Sequence, residues 1–411
     1  MADAARVTVI GAGPVGLAIA VVLSRRGTDC LLLEKRDGLS TVSKASTFHP
    51  PTLEIFGNFG VLGPMLEKGR KATHIQYRDP DGVFAEFDHA LLEADTPYPF
   101  RLHLEQSAIT PLMADIVRGS GHGEIRFGAE LQSLETLEDG VRVGWSDADG
   151  AVHHHDCDFV VGADGASSTV RDLLGLELEG IHYPGRVLRL VSTDPIEDYL
   201  PGIGQISYVF DRDNRSVSLL QMPDCWRLII RLPAGFDEDE VVRPEWYMEE
   251  LHHFLPMLPE RLTLRSHDIY GARKMLASSH GNDRVFLIGD ALHLTNTRGG
   301  MNMNCGIHDA WVLGHAIADA LESGQPGLAE AAAIARRRVA EEELLPRTDR
   351  NVAGGPGWLD EVRRRAASPE NAREMLVRTT MLDMAPPRDA QNLQPDTRMT
   401  PAQTIQPETA K

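Results

Sequence analysis

Short apolar runs alternate with longer, helically periodic stretches over the first third of the chain, and the same pattern returns in its second half. Val7–Ile10, Cys30–Glu34, Phe159–Gly162 and the run 285–288 are too short for buried helices and rich in Val, Ile, Leu and Phe, which predicts strands. Phe159–Gly162 is apolar on both faces, as expected of a central strand in a parallel sheet. Helical spacing of apolar positions predicts helices over 17–23, 52–59, 110–117, 244–255 and 307–321. The runs 75–78 and 83–87 flank Asp79-Pro80-Asp81-Gly82, the residue chemistry of a hairpin turn. Further strands are predicted at 124–127, 131–138, 141–145 and 151–155, with alternating strands over about 187–232. From Pro386 onward Pro, Gln, Thr and Asp occur without apolar periodicity, which predicts a disordered tail.

The junction of the first strand and helix carries a specific pattern. Val7–Ile10 runs into Gly11-Ala12-Gly13-Pro14-Val15-Gly16, and the second strand ends at Glu34. In such a strand–turn–helix unit Gly11 permits the tight turn, Gly13 lets a pyrophosphate approach the backbone, and Gly16 lets helix and strand pack closely. The helix N-terminus offers N–H groups to phosphates, and Glu34, followed by Lys35, accepts from an adenosine ribose. The pattern predicts a dinucleotide site.

Composition narrows the class. A chain of 411 residues, 42% hydrophobic and 25% charged, is long enough for two domains with a large core. A formal net charge of −19 repels nucleic acid and anionic membranes. Cys30, Cys157, Cys225 and Cys305 show neither metal-ligand spacing nor a disulfide framework, so no metal site is expected and the thiols are read as reduced. His153, His154 and His155 alternate faces on a strand and cannot converge on a metal. With no signal peptide and no run long enough to span a bilayer, the expected location is the cytoplasm.

Two further motifs end predicted parallel strands with a carboxylate: Gly162-Ala163-Asp164-Gly165, and Gly289-Asp290-Ala291-Leu292-His293 followed by Arg298-Gly299-Gly300-Met301-Asn302-Met303-Asn304. Open α/β sheets bind ligands at such strand ends. The three motifs, in this order and over most of the chain, resemble the single-component FAD-dependent aromatic hydroxylases, the 4-hydroxybenzoate hydroxylase-like flavoprotein monooxygenases.

That resemblance implies an α/β fold, with an FAD-binding Rossmann-like (GR2-type) domain, an interleaved β-sheet substrate domain and C-terminal helices. The flavin domain takes 1–72, 99–178 and 272–346, and the substrate domain 73–98 and 179–271. C-terminal helices take 347–384 and the tail 385–411. It also implies non-covalent FAD, NADH or NADPH binding in passing, and O2 as co-substrate. An OH reaches a phenolic or heteroaromatic ring through a flavin C4a-hydroperoxide. Asp290 holds the ribityl chain; Gly299, Gly300, Met303 and Asn304 lie along the isoalloxazine; Arg101 and Gln106 flank the flavin. Lys44 stands near the pyrophosphate, and Asp164, Lys44 and Arg273 meet the nicotinamide nucleotide. In the substrate domain the resemblance makes Tyr208 the residue that helps ionise a phenol and Arg227 the one that positions a mobile flavin. Gln221, Ile229 and Thr297 then contact substrate. Gln221 replaces a charged fork for a carboxylate, so neutral or amide-bearing rings are expected. The chain departs from the family in Asn296-Thr297-Arg298, where proline precedes the glycine pair, and in Asn302, which replaces a glycine. A monomer or homodimer is expected. The rival readings are an epoxidase, halogenase or reductase on the same scaffold, or a flavin-binding regulator without turnover.

Overall fold

A computed structural model describes residues 5–42, 45–213, 215–296, 298–353 and 357–387. The chain builds a five-stranded parallel sheet in the order Val285–Leu287, Phe159–Gly162, Val7–Ile10, Cys30–Glu34, Gly123–Phe127. Four of its strands are buried along their whole length because both faces are covered, while the edge strand Gly123–Phe127 carries Glu124 and Arg126 on one face. Val7, Val9, Leu32 and Val161 join the core formed with helices Pro14–Arg25, Thr110–Gly119 and Met301–Ser323. Ile10, Leu31, Leu33 and Val160 pack instead with Leu131, Val143 and Trp145 of a three-stranded antiparallel sheet.

A second, eight-stranded sheet runs from His293–Leu294 through Leu264–Ala277, Leu178–Ser192, Trp226–Arg231, Ser216–Gln221 and Ile206–Phe210 to His74–Asp79 and Gly82–Asp88. The hairpin at 79–82 closes as its residues predict, pairing Asp79 with Gly82. Leu178–Ser192 and Leu264–Ala277 join the two sheets. Ala277 lies in the core beside the parallel sheet, whereas Leu188 and Leu190 lie in that of the large sheet. Much of the first half of Leu178–Ser192 is exposed, so it carries no apolar alternation to mark it as strand.

The last long helix starts at Met301, six residues before its apolar periodicity begins. Gly299 and Gly300 both take positive φ, +87° and +63°, and turn the chain directly into the helix. The stretch expected to lie along the isoalloxazine is therefore the double-glycine turn and the helix's first turn. C-terminal helices Trp358–Ala366 and Pro369–Thr379 seat Val362, Ala372 and Leu376 against Ile75, Tyr77, Phe87 and Phe210, closing one end of the large sheet. Residues 388–411, most of the stretch read as a tail, lie outside the described residues.

Candidate flavin site and the cavity beside it

The first glycine turn fits a dinucleotide by its sterics. A Cβ at Gly11, where φ is +102°, would lie 2.7 Å from the Ala163 carbonyl, and one at Gly16 1.9 Å from that of Gly11. A Cβ at Gly13 would meet nothing within 4 Å, so this glycine faces open space at the start of Pro14–Arg25, a helix with no side-chain cap. Free N–H groups and open space together suit a pyrophosphate. Glu34 is buried and accepts from Ala12 N at 2.8 Å and Arg36 N at 3.0 Å, which fixes the turn and still leaves lone pairs for ribose hydroxyls. Lys35 beside it is exposed.

Asp164 and Asp290 stand at the ends of their strands and are held differently. Asp164 accepts from Ser168 Oγ at 2.5 Å and Val170 N at 3.2 Å, and burial raises its pKa. Asp290 accepts from Asn302 Nδ2 at 2.7 Å, and Asn302 Nδ2 also donates to His293 O at 3.2 Å. With the amide nitrogen committed to two acceptors, Asn302 Oδ1 faces His293 Nδ1 at 2.9 Å and that nitrogen must donate. His293 Nε2 lies 2.8 Å from Asp309 Oδ2 and must donate as well. His293 is therefore an imidazolium. Burial opposes that charge, yet Asp309 and Cys305 raise its pKa well above the usual range. Arg336 Nε donates to Asp309 Oδ1 at 2.7 Å and its Nη2 lies 3.4 Å from Cys305 Sγ. Although His293, Cys305 and Asp309 stand close enough to ligate a metal, a guanidinium already occupies the cation's place.

The double glycine turn is fastened from behind. Asn304 accepts from His49 N at 3.0 Å and donates to Thr47 O and Gly300 O at 2.8 and 2.7 Å, so its amide is spent within the protein. Met303 is buried in the core, and His49 Nε2 donates to Gly299 O at 2.7 Å. Gly299 and Gly300 form the surface of the turn, while Met303 and Asn304 secure it. Gln106 sits in a 3-10 turn whose backbone N–H donates to Ala45 O at 3.1 Å. Lys44 and Thr297 lie outside the described residues.

Beside Gly299 and Met301 a cavity opens, walled by Tyr77, Tyr208, Phe210 and Trp358, and carrying Arg101, Arg231 and Arg298. The Tyr77 and Tyr208 rings are 5.3 Å apart. Sequence reasoning did not single out Tyr77, Arg231, Arg298 or Trp358 as pocket residues. No local signal marks them, because they come from four separate segments. Arg101 donates Nη2 to Thr379 O at 2.8 Å across the cavity wall, and its Nε has no partner.

The strand ladder corrects the reading of Gln221. Tyr208 pairs with Ser218 and Ile206 with Leu220, so these share one face of the sheet; Gln221 follows Leu220 and points to the other. There it pairs with Trp226, and both side chains donate to Glu197, at 3.2 and 2.6 Å. The glutamine is thus remote from the cavity, and the expectation of neutral rings loses its basis. Arg227 and Ile229 do lie on the Tyr208 face, opposite Leu220 and Ser218, but neither lines the cavity. Arg227 is buried and donates to Ser46 Oγ at 2.6 Å and Glu105 Oε1 at 2.5 Å, tying the large sheet to the flavin side. Arg273 is exposed on Leu264–Ala277, opposite His182.

Buried histidines around these elements set the response to acid. Burial holds His49 well below its usual pKa and pushes His89 and His308 down to about 3 and His103 to about 4. The unfolded chain takes up these protons below about pH 6.5 while the native one does not, so stability falls as pH drops, by about 1.4 kcal/mol per pH unit for each fully displaced histidine. His293 acts oppositely: its contribution is present below about pH 6.5 and is lost as pH rises through its elevated pKa. Between about pH 6.5 and about pH 4.5 the four neutral histidines set the slope, His293 being protonated in the native state throughout, and the thermal midpoint is expected to fall over that range. A midpoint that climbs over that range would contradict the neutral assignments.

Comparison with known proteins agrees with this geometry. A family profile described as an FAD binding domain matches residues 4–344. The chain is 28% identical over 361 residues to para-nitrophenol 4-monooxygenase of Pseudomonas sp. (strain WBC-3), covering 86% of this chain and 87% of that protein. It is 30% identical over 354 residues to rifampicin monooxygenase of Streptomyces venezuelae, covering 82% and 69%. The crystal structure of p-nitrophenol 4-monooxygenase from Pseudomonas putida DLL-E4 superposes with a TM-score of 0.83 at 26% identity, over 92% of this chain and 98% of that one. Glycine turn, paired strand-end aspartates and family match agree: the chain belongs to the FAD-binding-domain flavoproteins, the family of the single-component aromatic monooxygenases.

Proposed function

We propose that the cavity beside Gly299 and Met301 is where a small phenolic or heteroaromatic compound is hydroxylated at the expense of NADH or NADPH and O2. One oxygen atom enters the ring and the other leaves as water. FAD, when bound, supplies the electron transfer and the oxygen activation. The protein's own residues bind, orient and exclude water.

Gly13 and the uncapped start of Pro14–Arg25 would hold the pyrophosphate, Glu34 the adenosine ribose, and Asp290 the ribityl hydroxyls. The Gly299–Gly300 turn and the first N–H groups of Met301–Ser323 would border the ring edge. Tyr208, in the cavity wall, would donate a hydrogen bond to a substrate oxygen and so favour its ionised form, the proton leaving to solvent, with Tyr77 packed behind it. The observation carrying this reading is the meeting of an aromatic cavity, a phenol hydroxyl and the double-glycine helix start in one place. A regulator without turnover has less need of Tyr208 at that position. The four buried, unpaired cysteines and the acidic charge support a reduced, cytoplasmic protein acting on small molecules.

Aromatic compounds that stimulate NAD(P)H oxidation should yield a product carrying one atom from 18O2. Label arriving from water, or no stimulation by any ring, would remove the hydroxylase reading. Asp290→Ala should weaken FAD retention by about 1.5–3 kcal/mol, because a charged acceptor is lost. FAD titration of the apoprotein measures this, and unchanged affinity would place the ribityl contacts elsewhere. Gln221→Arg should leave the preference among ring substituents unchanged, since that side chain lies on the far face of the sheet.

A further inference from the structure

We propose that Trp358 sets the size limit of this cavity, so that the site takes compounds with a single aromatic ring and excludes larger ring systems. The proposal rests on the hydroxylase reading above and names the substrate class of that same site.

The cavity has a floor, a flavin side and a cap. The floor is the large sheet, where Tyr77 and Tyr208 are direct partners on neighbouring strands and Phe210 follows Tyr208 on the same face. Gly299 and Met301 border the flavin side. The cap comes from the two C-terminal helices. Trp358 and Val362 lie one turn apart on Trp358–Ala366, and Ala372, Met375, Leu376 and Thr379 follow helical spacing along Pro369–Thr379. Val362, Ala372 and Leu376 are buried in the core that fixes the cap to the sheet, whereas Trp358 is half-buried and lines the cavity with Met375.

The indole is held as a wall. Its ring centroid lies 5.7 Å from that of Tyr77 at 64° and 5.8 Å from that of Phe210 at 53°, while Tyr77 and Phe210 are nearly parallel at 13°. It therefore ends that stacked pair instead of extending it, in the inclined geometry that aromatic rings favour. Charged contacts outside the cavity hold the helices in place. Arg363 Nη2 donates to Asp79 Oδ2 at 2.9 Å with its guanidinium 4.1 Å from the centre of the Phe84 ring, and Arg373 Nε donates to Asp95 Oδ2 at 3.0 Å. Tied at both helices as well as through its core, the cap presents a fixed indole.

The size limit follows from where the indole stands. Arg231 and Tyr77 are on strands three apart in the sheet, roughly 14 Å at about 4.8 Å per strand. Trp358 stands over Tyr77 at one end of that floor, and Arg231 reaches in at the other. With both side chains in place, the width suits one ring. A second fused ring would need the space that the indole fills, and in a packed wall such an overlap costs more than the added apolar surface returns.

The test is binding of phenol and 2-naphthol by the FAD-loaded protein, measured by calorimetry, which reads affinity without turnover. The larger ring system carries more apolar surface and would bind the more tightly in an open pocket, so the ratio of the two affinities reads the wall. In the wild type phenol should bind about tenfold or more tightly than 2-naphthol. Trp358→Ala vacates the volume of a fused ring pair and should move the ratio by about 10²-fold towards 2-naphthol. Trp358→Phe, which keeps a ring against Tyr77, should fall between the two. A merely structural role would weaken both ligands together and leave the ratio where it was. Arg363→Met loosens the cap without touching the cavity and should keep the wild-type ratio; an equal shift there would place the limit in the position of the cap and overturn the assignment to the indole. Tighter binding of 2-naphthol by the wild type, or an unchanged ratio in both Trp358 variants, would also overturn the proposal, even if hydroxylation occurs. The expected ratios without any ring-stimulated NAD(P)H oxidation would instead overturn the hydroxylase reading and leave the size limit standing.

Discussion

Asp309→Ala is expected to lower the stability of the protein by about 3–5 kcal/mol, the cost of breaking a buried ion pair from one side. Asp309 is fully buried, and its two oxygens hold His293 and Arg336, themselves buried, while Oδ2 also accepts from Gly289 N at 3.2 Å. Its pKa, held down to about 2 by Arg336 and His293 against the effect of burial, shows how strongly the fold uses the ionised form. Without it, two cations lose their counter-charge and the imidazolium must give up a proton. The turn that presents Asp290 also loses the acceptor for its Gly289 N–H. Denaturant titration of the apoprotein measures the stability. Asp309→Asn keeps the shape and removes only the charge, so it should reproduce most of the loss and lower the pKa of His293, whose burial is then no longer offset, visible in its imidazole NMR signals. Wild-type midpoints in both variants would show that the network adds nothing.

Tyr208→Phe is expected to cut hydroxylation by about 10²-fold while leaving FAD binding intact, the size of effect found when a general acid–base group is removed. The ring that replaces it would still pack on Tyr77 and within the cluster that holds Phe210, because those contacts are made by the ring and need no hydroxyl. NAD(P)H oxidation should continue, and the reduced oxygen should leave as H2O2 instead of entering the ring. The ratio of product to peroxide is therefore the diagnostic measurement. An unchanged ratio would mean that the substrate hydroxyl lies elsewhere in the cavity, with Tyr77 the next candidate.

These predictions differ in how much of their basis the sequence displays. Asp290 and the glycine turns can be read from short motifs, because a positive φ or an approach within 3 Å of backbone admits glycine and little else. His293, Asp309 and Arg336 form one unit although Arg336 is 27 residues from Asp309, on the next helix. Sequence reading passed over this trio because a charge at helical spacing reads as a solvated face.

What the sequence determined by itself was backbone: the βαβ unit at Val7–Ile10, Pro14–Arg25 and Cys30–Glu34, the doubly apolar strands of the parallel sheet, the hairpin at Asp79–Gly82, and the dinucleotide turn. Each follows from local sterics or from burial of both faces, which leave a record in neighbouring residues. The tertiary structure alone decided which side chains meet. Tyr208 faces the cavity and Gln221 does not because one residue's step along a ladder reverses the face, and only the observed register settles that parity. Arg101, Arg231 and Arg298 become one cationic wall because a short strand, the end of a sheet strand and a glycine turn come together from widely separated stretches of chain. Convergence of that kind depends on how sheets stack and helices close over them, and no local pattern of residues encodes it.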